Sequence, residues 1–112
     1  MAEENAATAL SLLTRDVVVF EAGFVDQGRD AYAATHLQAD FEAAKRYERE
    51  LLYRNLSGSM DEPLVLSAYE LRARDDTQAV PRKSVETMVL RRVADHWRIA
   101  HIHWSSHGVP GG

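Results

Sequence analysis

Histidines alternate along WRIAHIHWSSH, the segment Trp97–His107, and imidazoles at that spacing can do chemistry. On a strand His101 and His103 share one face and lie about 7 Å apart. Imidazole titrates near neutral pH and can therefore take up or release a proton. We predict that both rings face a pocket as catalytic groups. The alternative is a packing role, with one ring buried and hydrogen-bonded and the other near the rim. Which face is buried stays open, because Ala100, Ile102 and Trp104 on the other face are equally suited to burial.

Two further side chains are predicted to assist the histidines. Glu86 lies in the apolar segment SVETMVL, where an unpaired buried carboxylate would be costly. It should pair either with one of the histidines, as an acid/base dyad, or with Arg72 or Arg74 across the sheet. The hydroxyl of Tyr69 could donate to a substrate carbonyl oxygen, or its ring could simply pack in the core.

The His-x-His pattern also raises the possibility of a metal site. His101 and His103, with His107 or Glu86 as a third ligand, could hold zinc, nickel or iron. We predict no metal and no cofactor, because the glycine-rich spacing of His-x-His metal barrels is missing. His107 also falls in a glycine-rich end, residues 107–112, which we expect to be a flexible tail.

The elements that must position these side chains follow from changes in hydrophobic period. Helices are predicted over Asn5–Leu13 and Arg29–Lys45, and Phe24–Gly28 reads as a turn. Strands are predicted at Val17–Gly23, Tyr47–Ser57, Leu64–Arg74, Lys83–Val93 and Trp97–Ser106. Four successive strands with short polar turns make an antiparallel meander. The chain is therefore predicted to be one α+β domain over residues 1–112.

A pocket between the helices and the sheet would be lined from three elements. The helix Arg29–Lys45 carries a polar stripe, Tyr32, His36 and Asp40, beside its apolar one. The predicted pocket-lining residues are Phe20 and Glu21 from the first strand, Tyr32 and His36 from the helix, and Trp97 and Ile99 from the last strand.

The later strands are apolar on both faces, whereas two short helices can cover only one. An exposed apolar sheet face marks an interface. We therefore predict a homodimer packed through the sheet with two-fold symmetry. Ile102 and Trp104, opposite the histidines, are the predicted interface residues.

Composition excludes several classes of partner. The chain has 112 residues, a formal net charge of −4 and no cysteine. Without a basic stripe we predict no nucleic-acid binding, and without an apolar run of about 18 residues we predict no membrane span. The acidic N-terminus is unlike a signal peptide, so a cytoplasmic location is expected.

The segments VVVFEAGFVDQGRDAYAATHL and SVETMVLRRVADHWRIAHIHWSS resemble the SnoaL-like branch of the nuclear-transport-factor-2-like superfamily, which has a cystatin-like fold. The resemblance implies a curved antiparallel sheet wrapped around N-terminal helices, forming a cone with a pocket, and a dimer through the outer sheet face. Relatives usually have a long helix ahead of the shorter one. Only about sixteen residues precede Val17, so we expect either that the long helix is missing, which would leave the pocket more open, or that the start of the chain is truncated.

The superfamily includes ketosteroid isomerases, polyketide cyclases, epoxide hydrolases and the non-catalytic association domain of calmodulin-dependent kinase, so the resemblance implies no single reaction. We predict a pocket protein that binds a hydrophobic small molecule. It would be an acid/base isomerase, cyclase or hydrolase acting on a carbonyl-bearing substrate. The alternative is a non-catalytic homodimerisation or ligand-sensing module.

Overall fold

A computed structural model describes residues 2–76 and 78–108 of the chain. It contains three helices, α1 (Ala2–Ser11), α2 (Arg29–Thr35) and α3 (Leu37–Lys45), and six strands, β1 (Leu13–Glu21), β2 (Phe24–Gln27), β3 (Tyr47–Gly58), β4 (Pro63–Ala73), β5 (Arg82–Val93) and β6 (His96–Gly108). The predicted α+β class and the four-strand meander β3–β6 are confirmed. No helix in the described residues is long and apolar enough to cross a membrane.

All six strands form one sheet in the order β2-β1-β6-β5-β4-β3. Every neighbouring pair is antiparallel except β1 and β6, which run parallel. Register shifts occur between Val89 and Leu90 in the β5–β6 pair and between Leu51 and Tyr53 in the β3–β4 pair. Such irregularities bend strands, and they help to curve the sheet around the helices.

The helices cover one face of this sheet, called the inner face below. The core on that face consists of Leu13, Val17, Val19, Tyr32, Leu37 and Ile102. Val17 and Val19 alternate with more exposed neighbours, as expected for a strand with one buried face. The opposite, outer face carries Phe20, His101 and His103.

The two faces of β6 are the reverse of those predicted. Ile102 is only 3% exposed and belongs to the core, and Trp104 packs against it. Both residues therefore lie inside the fold, and not at an interface through the outer face. His101 and His103 instead lie edge-on to the ring of Phe20 on the outer face. In the sequence both faces of this strand carry apolar residues at alternate positions, so the pattern did not decide which face is buried.

Three predicted boundaries also change. The expected turn at Phe24–Gly28 is strand β2, joined to β1 through Ala22 and Gly23, which both have positive φ. The predicted single helix divides at His36, whose backbone N–H caps α2 by donating to the Tyr32 carbonyl. Strand β6 continues to Gly108, opposite Arg82, so His107 and Gly108 belong to this strand and not to the predicted tail; residues 109–112 lie outside the described residues.

Candidate active site

A cavity of about 240 Å³, open to solvent on one side, lies between the helices and the inner face. Its sheet wall includes Met88, Ile99 and Ile102, and its polar atoms come from Tyr32, Asp40 and Trp104. Predominantly apolar walls with a few convergent polar groups are typical of small-molecule sites. Two larger grooves, of about 450 and 440 Å³, run along the charged ends of β3 and β4. Some of their charged side chains are paired, such as Arg72 with Glu70.

A hydrogen bond joins two of the side chains that line the cavity. Tyr32 on α2 donates its hydroxyl to the Oδ2 atom of Asp40 on α3, at 2.5 Å. Burial, together with that hydrogen bond, raises the pKa of Tyr32, so its hydroxyl keeps its proton. The break between α2 and α3 at His36 allows two residues eight positions apart to meet in this way.

Glu21, the last residue of β1, lies beside Asp40. Burial first, and then the charge of Asp40 and a hydrogen bond with its carboxyl, together raise the pKa of Glu21 to about 7. Near neutral pH Glu21 is therefore partly protonated, and in its protonated form it can donate to Asp40. Two neighbouring carboxyls whose environment retains one proton are a recurrent acid/base arrangement.

A histidine–carboxylate pair lies next to these carboxyls. The Nδ1 atom of His36 lies 2.6 Å from Oδ2 of Asp26, and the hydroxyl of Thr35 donates to Oδ1 of Asp26 at 2.9 Å. Asp26 is buried on β2, and its hydrogen bond raises the pKa of His36. Protonated His36 in turn partly opposes the rise in the pKa of Glu21. We refer to Glu21, Asp26, Tyr32, His36 and Asp40 as the polar cluster.

Glu86 has a partner that the sequence did not suggest. The indole N–H of Trp104 donates to Oε2 of Glu86 at 2.6 Å, and Glu86 is only 6% exposed. The expected pairing with a histidine or with Arg72 or Arg74 is therefore wrong. Because Trp104 forms part of the cavity wall, Glu86 fixes the orientation of that wall.

The structure does not bring the predicted catalytic residues together. The Nδ1 atom of His101 lies 2.7 Å from the carbonyl oxygen of Val18, and His103 is exposed, both on the outer face. Tyr69 is buried on the inner face, where its hydroxyl accepts a hydrogen bond from Arg54.

The predicted pocket-lining residues divide between the cavity, the polar cluster and the surface. Tyr32 and Ile99 line the cavity, whereas Glu21 and His36 belong to the polar cluster and do not line it. Phe20 lies on the outer face, and Trp97 is 44% exposed.

Sequence reasoning missed the roles of two carboxyls. Asp40 continues the Tyr32–His36 stripe at the same four-residue spacing, which was the available signal. Asp26 gave no signal, because its strand has only four residues. Within the described residues no three His, Asp or Glu side chains are placed to hold a metal ion.

The comparisons with known proteins agree with this architecture. The family model of the SnoaL-like domain matches residues 1–110, and the chain therefore belongs to the SnoaL-like domain family. Its structural neighbours are nuclear-transport-factor-2-like proteins with a cystatin-like fold. No curated protein matches the chain at the level of sequence.

Among solved structures, the chain is similar to a "putative ketosteroid isomerase" from Shewanella frigidimarina NCIMB 400, with 26% identity and a TM-score of 0.82, covering 92% of this chain and 83% of that one. It is also similar to a "putative calcium/calmodulin-dependent protein kinase type II association domain" from Thiobacillus denitrificans ATCC 25259. The identity there is 25% and the TM-score 0.75, over 92% of this chain and 82% of that one.

Proposed function

We propose that this protein is an enzyme that moves a proton on a hydrophobic, carbonyl-bearing small molecule bound in the inner-face cavity. The observation that carries the proposal is that Tyr32 and Asp40, hydrogen-bonded to each other, line an apolar cavity, with the raised-pKa carboxyl of Glu21 beside Asp40. The Shewanella protein, which shares this fold, is named for an isomerisation of this type.

The chemistry follows from the protonation states of the cluster. A pKa of about 7 leaves Glu21 partly ionised at neutral pH, which is where a general base works best. Ionised Glu21 would remove a proton from the carbon next to the substrate carbonyl and return it to the same or another carbon. Asp40 and Tyr32 would supply and accept hydrogen bonds as the charge on Glu21 changes.

Deuterium exchange tests this proposal without a known substrate. The protein would be incubated in D₂O with a ketosteroid and with straight-chain ketones, and deuterium at the carbon next to the carbonyl would be measured by mass spectrometry. We expect exchange above the buffer rate for at least one ketone, and a loss of about a hundredfold in Glu21→Gln. The control is His103→Gln, on the outer face, which should keep the wild-type rate. Exchange that survives in Glu21→Gln, or no exchange by the wild type, would refute the proposal.

A second candidate function is assembly through the outer face. Val85, on a strand inside the sheet, is 52% exposed, and Tyr53 in the same outer-face row is 54% exposed. We propose that a second copy of the chain covers this face, because an apolar sheet surface gains from exclusion of water. The likeness to the Thiobacillus association domain supports a role in assembly.

A further inference from the structure

A row of polar side chains crosses the inner face of the sheet beyond the helices. Paired positions on adjacent strands share a face, and the register joins Glu21, Trp104, Glu86, Ser67 and Arg54 in that order from β1 to β3. Ser67 and Glu86 are 4% and 6% exposed. Polar side chains that are buried in a row beside an apolar core suggest a role other than packing.

Arg54, at the far end of the row, is held by two neutral partners. Its Nε atom donates to the Ser67 hydroxyl at 3.0 Å, and Nη2 donates to the Tyr69 hydroxyl at 2.6 Å. These bonds use two of the five N–H groups of a guanidinium. No carboxylate lies within 4.0 Å of this guanidinium among the side chains that the structure describes. Its charge is therefore oriented without being neutralised by an ion pair.

A second guanidinium lies at the same place. The Cζ atom of Arg49 stands 4.1 Å above the centroid of the Tyr69 ring. Tyr69 is 5% exposed and so forms a fixed platform between the two arginines. This end of the inner face is positively charged in a chain whose net charge is −4.

An apolar row connects this positive end with the cavity. The register pairs Ile102 with Met88, Met88 with Val65, and Val65 with Leu56. These residues form the next row on the inner face, parallel to the polar row and directly beside it. Ile102 and Met88 line the cavity, and Leu56 is 70% exposed. Two strand spacings, about 10 Å, separate Met88 from the strand that carries Arg54.

We propose that Arg54, positioned by Ser67 and Tyr69 and assisted by Arg49, binds a carboxylate at the end of the substrate's apolar body. The free N–H groups of a guanidinium match a planar carboxylate in a two-pronged arrangement. The apolar body lies along the Met88–Val65 row and enters the cavity. The inference rests on the proposed function only in taking the cavity as the substrate site.

Binding of a matched pair of probes tests this inference. Decanoate and methyl decanoate differ only in the charge of the head group, and their Kd values for the full chain can be measured by calorimetry. We expect decanoate to bind more tightly than its ester. Arg54→Gln should raise the Kd of decanoate at least about tenfold and leave that of the ester within about twofold. Arg54→Lys keeps the charge but not the planar guanidinium, so its Kd for decanoate should lie between those of wild type and Arg54→Gln.

The control is Arg92→Gln, whose guanidinium lies over Trp97 away from this row; it should bind both probes as the wild type does. Equal affinity for the two probes, absence of decanoate binding, or equal loss of both in Arg54→Gln would overturn the inference. Because the readout is binding, it is separate from the proposed activity: decanoate selectivity without deuterium exchange would refute the enzyme function alone.

Discussion

The character of the site depends on which groups share a proton. Tyr32 keeps its hydroxyl proton and donates it to Asp40. Glu21 lies beside the same carboxylate, and burial is the first cause of its raised pKa. An acid with a pKa near 7 costs folding free energy in exchange for reactivity, because its charged form is disfavoured in the folded state.

Replacing Glu21 should therefore change how stability depends on pH. The raised pKa of about 7 means that the contribution of protonated Glu21 is complete below its unfolded pKa and is lost as pH rises through about 7. Glu21→Gln keeps a neutral side chain throughout. The free energy of unfolding of Glu21→Gln, relative to that of wild type, should therefore increase by on the order of 1 kcal/mol between pH 5 and pH 8. This value is reduced to allow for solvent screening of a partly exposed carboxyl.

Urea unfolding at several pH values measures this difference. His36 also has a raised pKa, through its hydrogen bond to Asp26, so wild type loses that contribution as pH rises from the ordinary value of 6.5 through the raised pKa. His36 remains in both proteins, but Glu21→Gln removes a charge that helps to raise the pKa of His36, so the comparison reports on Glu21 together with this coupling. Parallel stability curves for wild type and Glu21→Gln would show that the environment does not perturb this carboxyl.

At the scale of elements, the β3–β4 hairpin sets the position of Arg54. Gly58 ends β3 with φ 79°, and a Cβ atom there would lie 2.7 Å from the Glu62 carbonyl oxygen and 3.1 Å from the Leu64 nitrogen. Both are backbone atoms, which cannot rotate away. Gly23, in the β1–β2 turn, has φ 88° but no atom within 4 Å of the corresponding position.

This contrast gives a matched pair of variants. Gly23→Ala should cost about 1–2 kcal/mol for the left-handed backbone alone. Gly58→Ala carries the same cost plus a backbone clash of about 1–3 kcal/mol. Midpoints of urea unfolding would rank the two, and an equal loss in both would mean that the hairpin relaxes around the added methyl group.

The sequence predicted elements well where a strong period repeats. Strands β3–β6 have eleven to thirteen residues each and were found. Strand β2 was missed because it has four residues, three of them exposed. The parallel pairing of β1 with β6 is a long-range contact, and nothing local in either strand encodes it.

The site was harder to predict than the fold for a related reason. A one-residue choice of face exchanges every inward side chain for an outward one, and it decided whether His101 or Ile102 entered the core. The residues around Glu21 come from β1, β2, α2 and α3. Only the stripe of Tyr32, His36 and Asp40 could be recognised from the sequence, because these three residues lie in one predicted helix.

For the whole molecule, the outer face decides whether the chain acts alone. Val85→Lys would place a charge in that apolar surface and should convert a dimer to a monomer, measured by light scattering after gel filtration. Val80→Lys is the control, since Val80 is similarly exposed, at 48% against 52% for Val85, but lies in the β4–β5 loop. A wild-type monomer, or a dimer unaffected by Val85→Lys, would contradict assembly through this face.

The carboxyl pKa of Glu21 is the quantity on which the proposed activity depends. It can be measured by following the ¹³C chemical shift of its side-chain carboxyl from pH 3 to pH 9 in protein labelled with ¹³C. We predict a midpoint of about 7, and a lower midpoint in Asp40→Asn, where the charge of the neighbouring carboxyl is removed. A midpoint near the ordinary value of 4.5 for glutamate would contradict the proton-transfer site.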